Sequence, residues 1–254
     1  ELTSYGQTFL PYARTIARTE FEGTSAVKRL QNIENGLLTI ASIPSMPQYQ
    51  ITMFIAQFQQ FYPDTTVRIT EDDSNNLLEY LLNGTCELIF TREDKLAFEK
   101  NFMTNNQIIH IPYIKDRMVA LMPTEHPLSC EESVTLQQLK NEHFCFIKEG
   151  SLMHDMCMEA CQNAGFIPDI IFTSHRIDSI LDMVTNQDCV ALLMDKHMEL
   201  PDNGPTQINV PWKTIPVSPE INSQISLCYR TDKPLSNPAQ NFVDFCTSRL
   251  FGLS

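Results

Sequence analysis

Short runs of consecutive apolar residues alternate along the chain with longer segments in which apolar residues recur every three or four positions. Residues 37–41, 67–69 and 87–90 are runs of the first kind, which is typical of buried strands. Residues 50–62 and 77–82 lie between these runs and carry the stripe of an amphipathic helix. The order strand, helix, strand, helix, strand predicts a parallel sheet that is covered by helices.

The same rhythm returns in the second half of the chain. Predicted strands and helices alternate over residues 144–193, and a further strand and a closing helix follow at residues 225–229 and 239–250. Two more strands are predicted between residues 108 and 122, ahead of a crossing between lobes at residues 123–127. Two similar halves predict an α/β protein of two lobes with a cleft between them.

A long amphipathic helix is predicted ahead of the first strand, over residues 4–30. Phe9, Tyr12 and Ile16 are among the apolar residues that recur there at helical spacing, and Pro11 is expected to kink the early part. A helix of this length outside the lobes has to bury its apolar stripe against another surface. A second copy of the same helix is the simplest partner.

Composition and charge narrow the class of protein. The 254 residues are 43% hydrophobic and 19% charged, as in ordinary globular proteins large enough to form two lobes. The net charge of −13 repels the phosphate backbone of DNA, so most of the chain is not expected to touch nucleic acid. No apolar run approaches the roughly 20 residues that span a bilayer. The first residues also lack the basic start and apolar core of a signal peptide.

The eight cysteines favour a reducing compartment. They lie mostly inside apolar segments, as Cys145 and Cys189 do, where cysteine behaves as a small buried hydrophobe. We therefore expect free thiols in the cytoplasm rather than a disulfide framework. His154, Cys157 and Cys161 share one predicted helix face, which suits a soft metal. The neighbouring methionines favour a packed, sulfur-rich face instead, and we predict neither a metal nor a cofactor.

Several phrases, in order along nearly the whole chain, resemble the LysR family of bacterial transcription regulators. The most specific short match is His126-Pro127-Leu128, which follows the last strand predicted before the crossing. The other matching phrases are Leu2-Thr3 with Gly6 and Ala13-Arg14, Gly36-Leu37-Leu38-Thr39-Ile40, Phe58 with Phe61-Tyr62-Pro63 and Val67, Leu81-Leu82-Asn83-Gly84 with Glu87-Leu88-Ile89, Thr135-Leu136 with Leu139, and Ala164-Gly165-Phe166-Ile167-Pro168. Glu87 stands where aspartate is usual. Asn186-Gln187-Asp188 departs from the family, which usually has a glycine-rich turn there.

The resemblance implies a fold similar to the type 2 periplasmic binding proteins, with two Rossmann-like lobes behind a long linker helix. Residues 1–35 would form the linker helix and mediate dimerisation, residues 36–123 and 232–254 would form lobe I, and residues 124–231 would form an inserted lobe II. The resemblance also implies a small-molecule effector in the cleft, a homodimer or homotetramer, and no membrane association. DNA would be bound only through a helix-turn-helix head upstream of Glu1.

Strand ends and helix starts at the cleft supply the candidate effector-binding residues, because backbone N–H groups are unpaired there. The candidates are Ser42, Ser45, Met46, Thr91 and Arg92 in lobe I, and Ser151, Met153, His154, Ser174, His175 and Arg176 in lobe II. This mixture fits a small anion or a partly apolar acid. Simpler roles are also open: Ser45 as a helix cap, Arg92 in a surface ion pair, and His175 and Arg176 as exposed residues at a helix start.

Catalytic motifs are absent from the sequence. It contains no Gly-x-Ser-x-Gly, no His-Glu-x-x-His, no phosphate loop and no dinucleotide fingerprint, so we predict no enzyme activity. The sequence favours the effector-sensing regulatory domain of a transcription regulator. A solute-binding protein of a transport system is the alternative, since it would use a similar cleft. The long leading helix and the buried cysteines argue against that alternative.

Overall fold

The computed structural model describes residues 2–34, 36–93, 107–198 and 210–251. Its α-helices in chain order are α1 (Ser4–Glu34), α2 (Ile51–Phe61), α3 (Ser74–Asn83), α4 (Leu152–Asn163), α5 (Ile177–Asn186) and α6 (Asn237–Phe251). Its strands are β1 (Leu37–Ser42), β2 (Thr66–Glu71), β3 (Leu88–Glu93), β4 (Ile108–Pro123), β5 (His143–Ile147), β6 (Asp169–Ser174), β7 (Val190–Met194), β8 (Trp212–Pro216) and β9 (Asn222–Arg230). None of the described helices is long and apolar enough to cross a membrane.

The described strands join in one nine-stranded sheet, in the order β2-β1-β3-β9-β4-β7-β5-β6, with β8 paired to β4. β1 runs parallel to β2 and β3, and β5 runs parallel to β6 and β7. β9 and β4 are antiparallel to each other and to their outer neighbours. Each parallel group is one lobe, and the predicted α/β fold with two lobes is confirmed.

The crossings between the lobes lie at different residues from those predicted. The two strands predicted between residues 108 and 122 are the single strand β4, whose first part, Ile108–Arg117, pairs with β9 and whose second part, Met118–Pro123, pairs with β7 and β8. The chain thus enters lobe II at about residue 118, before the predicted 124. β9 pairs with β3, so the chain returns to lobe I at about residue 222 and not at the predicted 232. The first crossing lies inside the extended strand β4 and therefore needs no turn residues, whereas a bend at Ser218-Pro219 precedes the second.

Local features explain where several helices end. α3 begins at Asp73, whose carboxylate accepts a hydrogen bond from the Asn75 N–H, and it ends at Gly84 with φ of 80°, a left-handed conformation that glycine adopts without strain. This end is the one predicted from Asn83-Gly84. In the turn Asn186-Gln187-Asp188, where the LysR family usually has glycine, Gln187 is extended with φ of −129°. Glycine is therefore not required there.

Lobe I is held together by aromatic packing between α2 and the closing helix α6. Phe58 is fully buried, and its ring centroid lies 4.9 Å from that of Phe242 and 5.6 Å from that of Phe245. Phe54 contacts Phe245 at 5.3 Å. Edge-to-face pairs at these distances add to the stabilisation from buried area. The last helix thereby fixes lobe I although lobe II interrupts that lobe in sequence.

Replacing Phe58 by alanine is expected to lower the free energy of unfolding by about 3–5 kcal/mol, because it leaves a cavity among three aromatic rings. The matched control is Met53→Ala on the exposed face of the same helix, which should change stability by less than about 0.5 kcal/mol. Urea unfolding followed by circular dichroism measures both. Equal effects of the two changes would contradict the packing described for α2.

Candidate functional site

A cavity of about 410 Å³ lies between the two lobes. Its lobe I wall consists of the loop after β1, the ends of β2 and β3, and the start of α3. Its lobe II wall consists of the β5–α4 loop and the start of α5. Both walls thus follow the carboxyl ends of parallel strands, where ligands bind in open α/β sheets. The volume suits a small organic molecule.

Five of the candidate residues predicted from sequence line this cavity. Ser45 and Arg92 come from lobe I, and Ser151, Met153 and His175 come from lobe II. The alternative role of Ser45 as a helix cap is wrong, because α2 begins only at Ile51 and residues 44–50 form turns. The surface ion pair suggested for Arg92 is also wrong, because this side chain is buried.

The other three lobe I candidates lie outside the cavity lining. Ser42 is fully buried in the strand, and its hydroxyl has no hydrogen-bond partner. Met46 packs in the lobe I core. Thr91 donates a long hydrogen bond, 3.4 Å, to the carbonyl oxygen of Arg92. Since successive residues of a strand point to opposite faces, Arg92 and Thr91 cannot both face the cleft.

Three lobe II candidates are likewise placed elsewhere. The His154 ring packs edge-on against Phe146 with centroids 6.0 Å apart. The Ser174 hydroxyl accepts a hydrogen bond from the Arg176 N–H at 3.0 Å, within the turn that precedes α5; the N-cap of α5 is Arg176 and not the predicted Ser174. The Arg176 guanidinium lies 3.2 Å from the Asp178 carboxylate, and both side chains are about three-quarters exposed. These positions agree with the simpler, structural roles.

Arg92 is the centre of a buried polar network. Its guanidinium donates to the Tyr49 hydroxyl and, at 2.9 Å, to the Ser223 hydroxyl. The Tyr49 hydroxyl in turn donates to the Asp116 carboxylate, which lies 3.9 Å from the guanidinium. Burial raises the pKa of Tyr49 well above its ordinary value, an effect that Arg92 opposes and Asp116 reinforces. The phenol therefore keeps its proton and bridges the two charges.

The same network reaches lobe II through the turn that follows β7. The Asp116 carboxylate accepts a hydrogen bond from the Lys196 N–H at 3.2 Å. His197 Nε2 lies 3.4 Å from the Arg92 guanidinium, and the His197 ring meets the Tyr49 ring edge-on at 5.9 Å. Because arginine only donates hydrogen bonds, Nε2 has to accept, and the proton of the neutral ring lies on Nδ1. Burial, together with the Arg92 charge, lowers the pKa of His197 well below its ordinary value.

Two hydrogen bonds close the cavity directly from lobe to lobe. The Asp73 carboxylate accepts from the Leu152 N–H at 3.1 Å, at the first turn of α4. The Asn75 amide donates to the Gly150 carbonyl oxygen at 3.2 Å. An anionic oxygen from the protein itself thus occupies the N-terminus of a helix, where the helix dipole favours negative charge.

Sequence reasoning missed four residues that shape this site: Tyr49, Asp73, Asp116 and His197. A signal was present for His197, because it follows the predicted strand at residues 190–193, and the ends of parallel strands meet at the cleft. Asp116 lies between Lys115 and Arg117 and resembles an exposed charged turn in sequence. Tyr49 stands between Gln48 and Gln50, and nothing in this polar stretch indicates a buried side chain.

The cysteines are free thiols as predicted, and all except Cys130 are buried. The possible metal-ligating face of α4 is a packed face. Cys157 donates to the Leu192 carbonyl oxygen, and burial raises the pKa of Cys161 to about 12. Within the described residues, the close group of metal-ligating side chains is a different one, Glu93, His110 and Cys228.

The family model of the LysR substrate binding domain matches residues 31–250, and the chain belongs to this family. Among its relatives is the HTH-type transcriptional regulator YybE of Bacillus subtilis, 24% identical over 97% of this chain and 80% of that protein. The fold is similar to the CcmR regulatory domain of Synechocystis in complex with 2-PG, with a TM-score of 0.72 at 15% identity, covering 84% of this chain and 97% of that one. It is also similar to the QuiR effector binding domain in complex with shikimate, with a TM-score of 0.68 at 14% identity over 85% and 97% of the two chains.

The buried neutral His197 predicts a pH dependence of stability. Its pKa in the folded state lies below the ordinary 6.5, so the unfolded chain takes up the proton first as the pH falls. The stabilisation is therefore complete above about pH 6.5 and is lost progressively below it. In urea unfolding from about pH 8 to pH 5, His197→Gln should lose less stability than the wild type. At pH 8 the imidazole is neutral in both the folded and the unfolded chain, so the difference in unfolding free energy between the wild type and His197→Gln reflects the contacts of the side chain and not its protonation. Parallel pH profiles would contradict a buried neutral imidazole.

Proposed function

We propose that this chain is the sensory part of a cytoplasmic DNA-binding transcription regulator, and that it binds its effector in the cavity between the lobes. The observation that carries the proposal is that residues of both lobes line one cavity and that hydrogen bonds of Asp73 and Asn75 join the lobes beside it. A ligand there contacts both lobes, and it shifts their relative placement by as much as its affinity differs between the two arrangements. DNA contacts would belong to a helix-turn-helix segment outside these 254 residues.

We infer a binding role rather than catalysis for the cavity. Two of the three serines that line the cavity are already engaged in the structure: Ser74 accepts a hydrogen bond from the Arg92 N–H, and Ser151 caps α4. Neither of these two hydroxyls is hydrogen-bonded to a histidine ring in the described part of the chain, as the hydroxyl of an activated nucleophile would be. Arg92 and Asp116 neutralise each other. These groups suit fixed recognition better than proton transfer.

The proposed effector is a small anion or a partly apolar acid. The Leu152 N–H already holds an anionic oxygen, that of Asp73, and a ligand carboxylate can take its place. Lys148 adds a positive charge to the lining, while Ile43 and Met153 are among the apolar side chains that would contact the rest of the molecule.

Two of the four acidic side chains of the lining, Asp72 and Asp73, are engaged within the protein and do not by themselves require a cationic ligand. Asp72 accepts hydrogen bonds from Tyr80 and Asn76, which lower its pKa, and Asp73 is held by backbone N–H groups. Both carboxylates are thereby stabilised within the protein. The complexes of similar folds with 2-PG and shikimate support a small molecule of this size.

The effector class is tested by calorimetry with a panel of small carboxylates and a matched panel of amines. A carboxylate that binds with a stoichiometry of one per chain is the expected result. Binding of amines alone would contradict the proposed class. Failure of every compound in a broad metabolite panel, in the presence of a folded protein, would contradict the cleft as an effector site.

Asp73→Asn separates the two classes of ligand by charge. Because it weakens the internal competitor for the Leu152 N–H, an anion should bind about fivefold more tightly, equivalent to about 1 kcal/mol. A cation should bind more weakly. The control is Asp64→Asn, which makes the same change of charge away from the cleft. Asp64 lies beside Gly36, the residue that precedes β1. This substitution should leave the affinity unchanged.

We further propose that α1 mediates association with a second copy. Leu2, Tyr5, Phe9, Tyr12 and Ile16 are all more than half exposed, and they follow one another at alternating spacings of three and four residues. This is the a and d pattern of a coiled-coil seam. An exposed apolar stripe of this kind is stabilised when it packs against the same stripe of another copy.

Ile16→Glu is expected to weaken this association, because it places a charge in the apolar seam. Loss of one buried side chain of this size, about 1.5–3 kcal/mol, corresponds to at least a tenfold weaker dimer. Light scattering coupled to size-exclusion chromatography measures the change. Gln7→Glu, an exposed residue off the stripe, is the control and should associate as the wild type does. A wild-type chain that stays monomeric would refute the role of α1.

A further inference from the structure

Three side chains of different chemistry meet on one face of the lobe I sheet, away from the cleft. They are Glu93 at the end of β3, His110 on β4 and Cys228 on β9, and these strands are neighbours. His110 stands directly opposite Cys228 in the strand register. His110 Nδ1 lies 3.0 Å from the Glu93 carboxylate and 3.2 Å from Cys228 Sγ. All three ligand atoms lie within 4.8 Å of one another.

We propose that Glu93, His110 and Cys228 form a binding site for a borderline-soft divalent cation of the Zn²⁺ class. One oxygen, one nitrogen and one sulfur ligand are the donor types that Zn²⁺ takes in proteins. At ordinary Zn–ligand bond lengths and a tetrahedral angle, such atoms lie about 3.3–3.6 Å apart. The two separations from His110, 3.0 Å to Glu93 and 3.2 Å to Cys228, are close to those values, and the third pair of atoms lies within 4.8 Å. Side-chain movements alone can therefore bring the three ligands around one cation. The Cys228 thiol releases its proton to solvent as its sulfur binds the metal.

Outer contacts orient the carboxylate toward the histidine. The Gln224 amide donates to the second Glu93 oxygen at 3.4 Å and to the Ser226 hydroxyl at 3.2 Å. Gln224, Ser226 and Cys228 alternate along β9, so they share the face on which the cluster lies. Partners of this kind commonly hold the ligands of metal sites in place.

The cluster is partly accessible from solvent. Glu93 lines a second cavity, of about 790 Å³, between the start of the β9 segment and α4. The His110 and Glu93 side chains are about one-quarter and one-sixth exposed, whereas Cys228 is buried. A three-ligand site with an open side typically takes water as its fourth ligand. A bound ion would then be exchangeable.

The residues of the proposed metal site are neighbours in sequence of residues at the effector cleft, but their side chains lie on the opposite face of the sheet. Glu93 follows Arg92 in β3, and Gln224 follows Ser223 in β9. Arg92 and Ser223 are hydrogen-bonded to each other on the cleft face. A cation on the opposite face would hold the same two strand ends together. The metal site does not depend on the proposed effector.

Cobalt is the probe, because four-coordinate Co²⁺ replaces Zn²⁺ in such sites and its thiolate bond absorbs in the near ultraviolet. The chelator-treated chain is titrated with Co²⁺ and then with Zn²⁺. The expected result is a thiolate-to-cobalt band that saturates at one metal per chain and disappears when Zn²⁺ is added. A titration without that band would overturn the proposal.

Two variants and one control assign the ligands. Cys228→Ser should abolish the band, and His110→Gln should weaken Co²⁺ binding by at least about tenfold. Cys130→Ser, which changes the exposed cysteine, should leave the band and the affinity unchanged. If Cys228→Ser does not fold, His110→Gln decides, with circular dichroism as the check on its fold. Wild-type affinity in folded His110→Gln, or a band that survives Cys228→Ser, would refute the site.

Discussion

The buried pair of Arg92 and Asp116 is the interaction on which the arrangement of the cleft depends. Removing a guanidinium and a carboxylate from water costs several kcal/mol for each charge, and the cost is offset only by close pairing and further hydrogen bonds. Tyr49 and Ser223 supply those bonds. The pair joins β3 to β4 and holds the loop before α2 against both. The floor of the cleft is therefore set before any ligand arrives.

The periodicity of apolar residues was sufficient to predict most elements of this fold. A buried parallel strand is a continuous apolar run and a covering helix is a stripe, so the alternation over residues 36–93 predicted β1 to β3 with the helices between them. The crossings between lobes could not be predicted in the same way. β4 passes from one lobe to the other in extended conformation, and a strand that changes partners has the same apolar pattern as one that does not.

The candidate site was predicted only in part, because the local sequence shows where strands end but not which polar side chains face the cleft. Strand ends and helix starts identify the edge of the sheet where a cleft forms, and they led to Ser45, Ser151 and His175. They do not show which neighbour along a strand faces inward, so Thr91 and Arg92 were both predicted although only Arg92 lines the cavity. Asp116 was missed because its partners lie 24 and 67 positions away in sequence. A charge buried by distant partners has the same local sequence as one in solvent.

The continuity of β4 limits the kind of motion that can connect the cleft to the rest of the protein. A 16-residue strand is about 50 Å long, and it is paired with lobe I strands along one half and lobe II strands along the other. Bending it sharply would break ladder hydrogen bonds, whereas rotating one half about the strand axis changes mainly the sheet twist, which is soft. The lobes are thus expected to twist relative to each other about the axis of β4. A bound effector would change the angle between the lobes more than the width of the cleft.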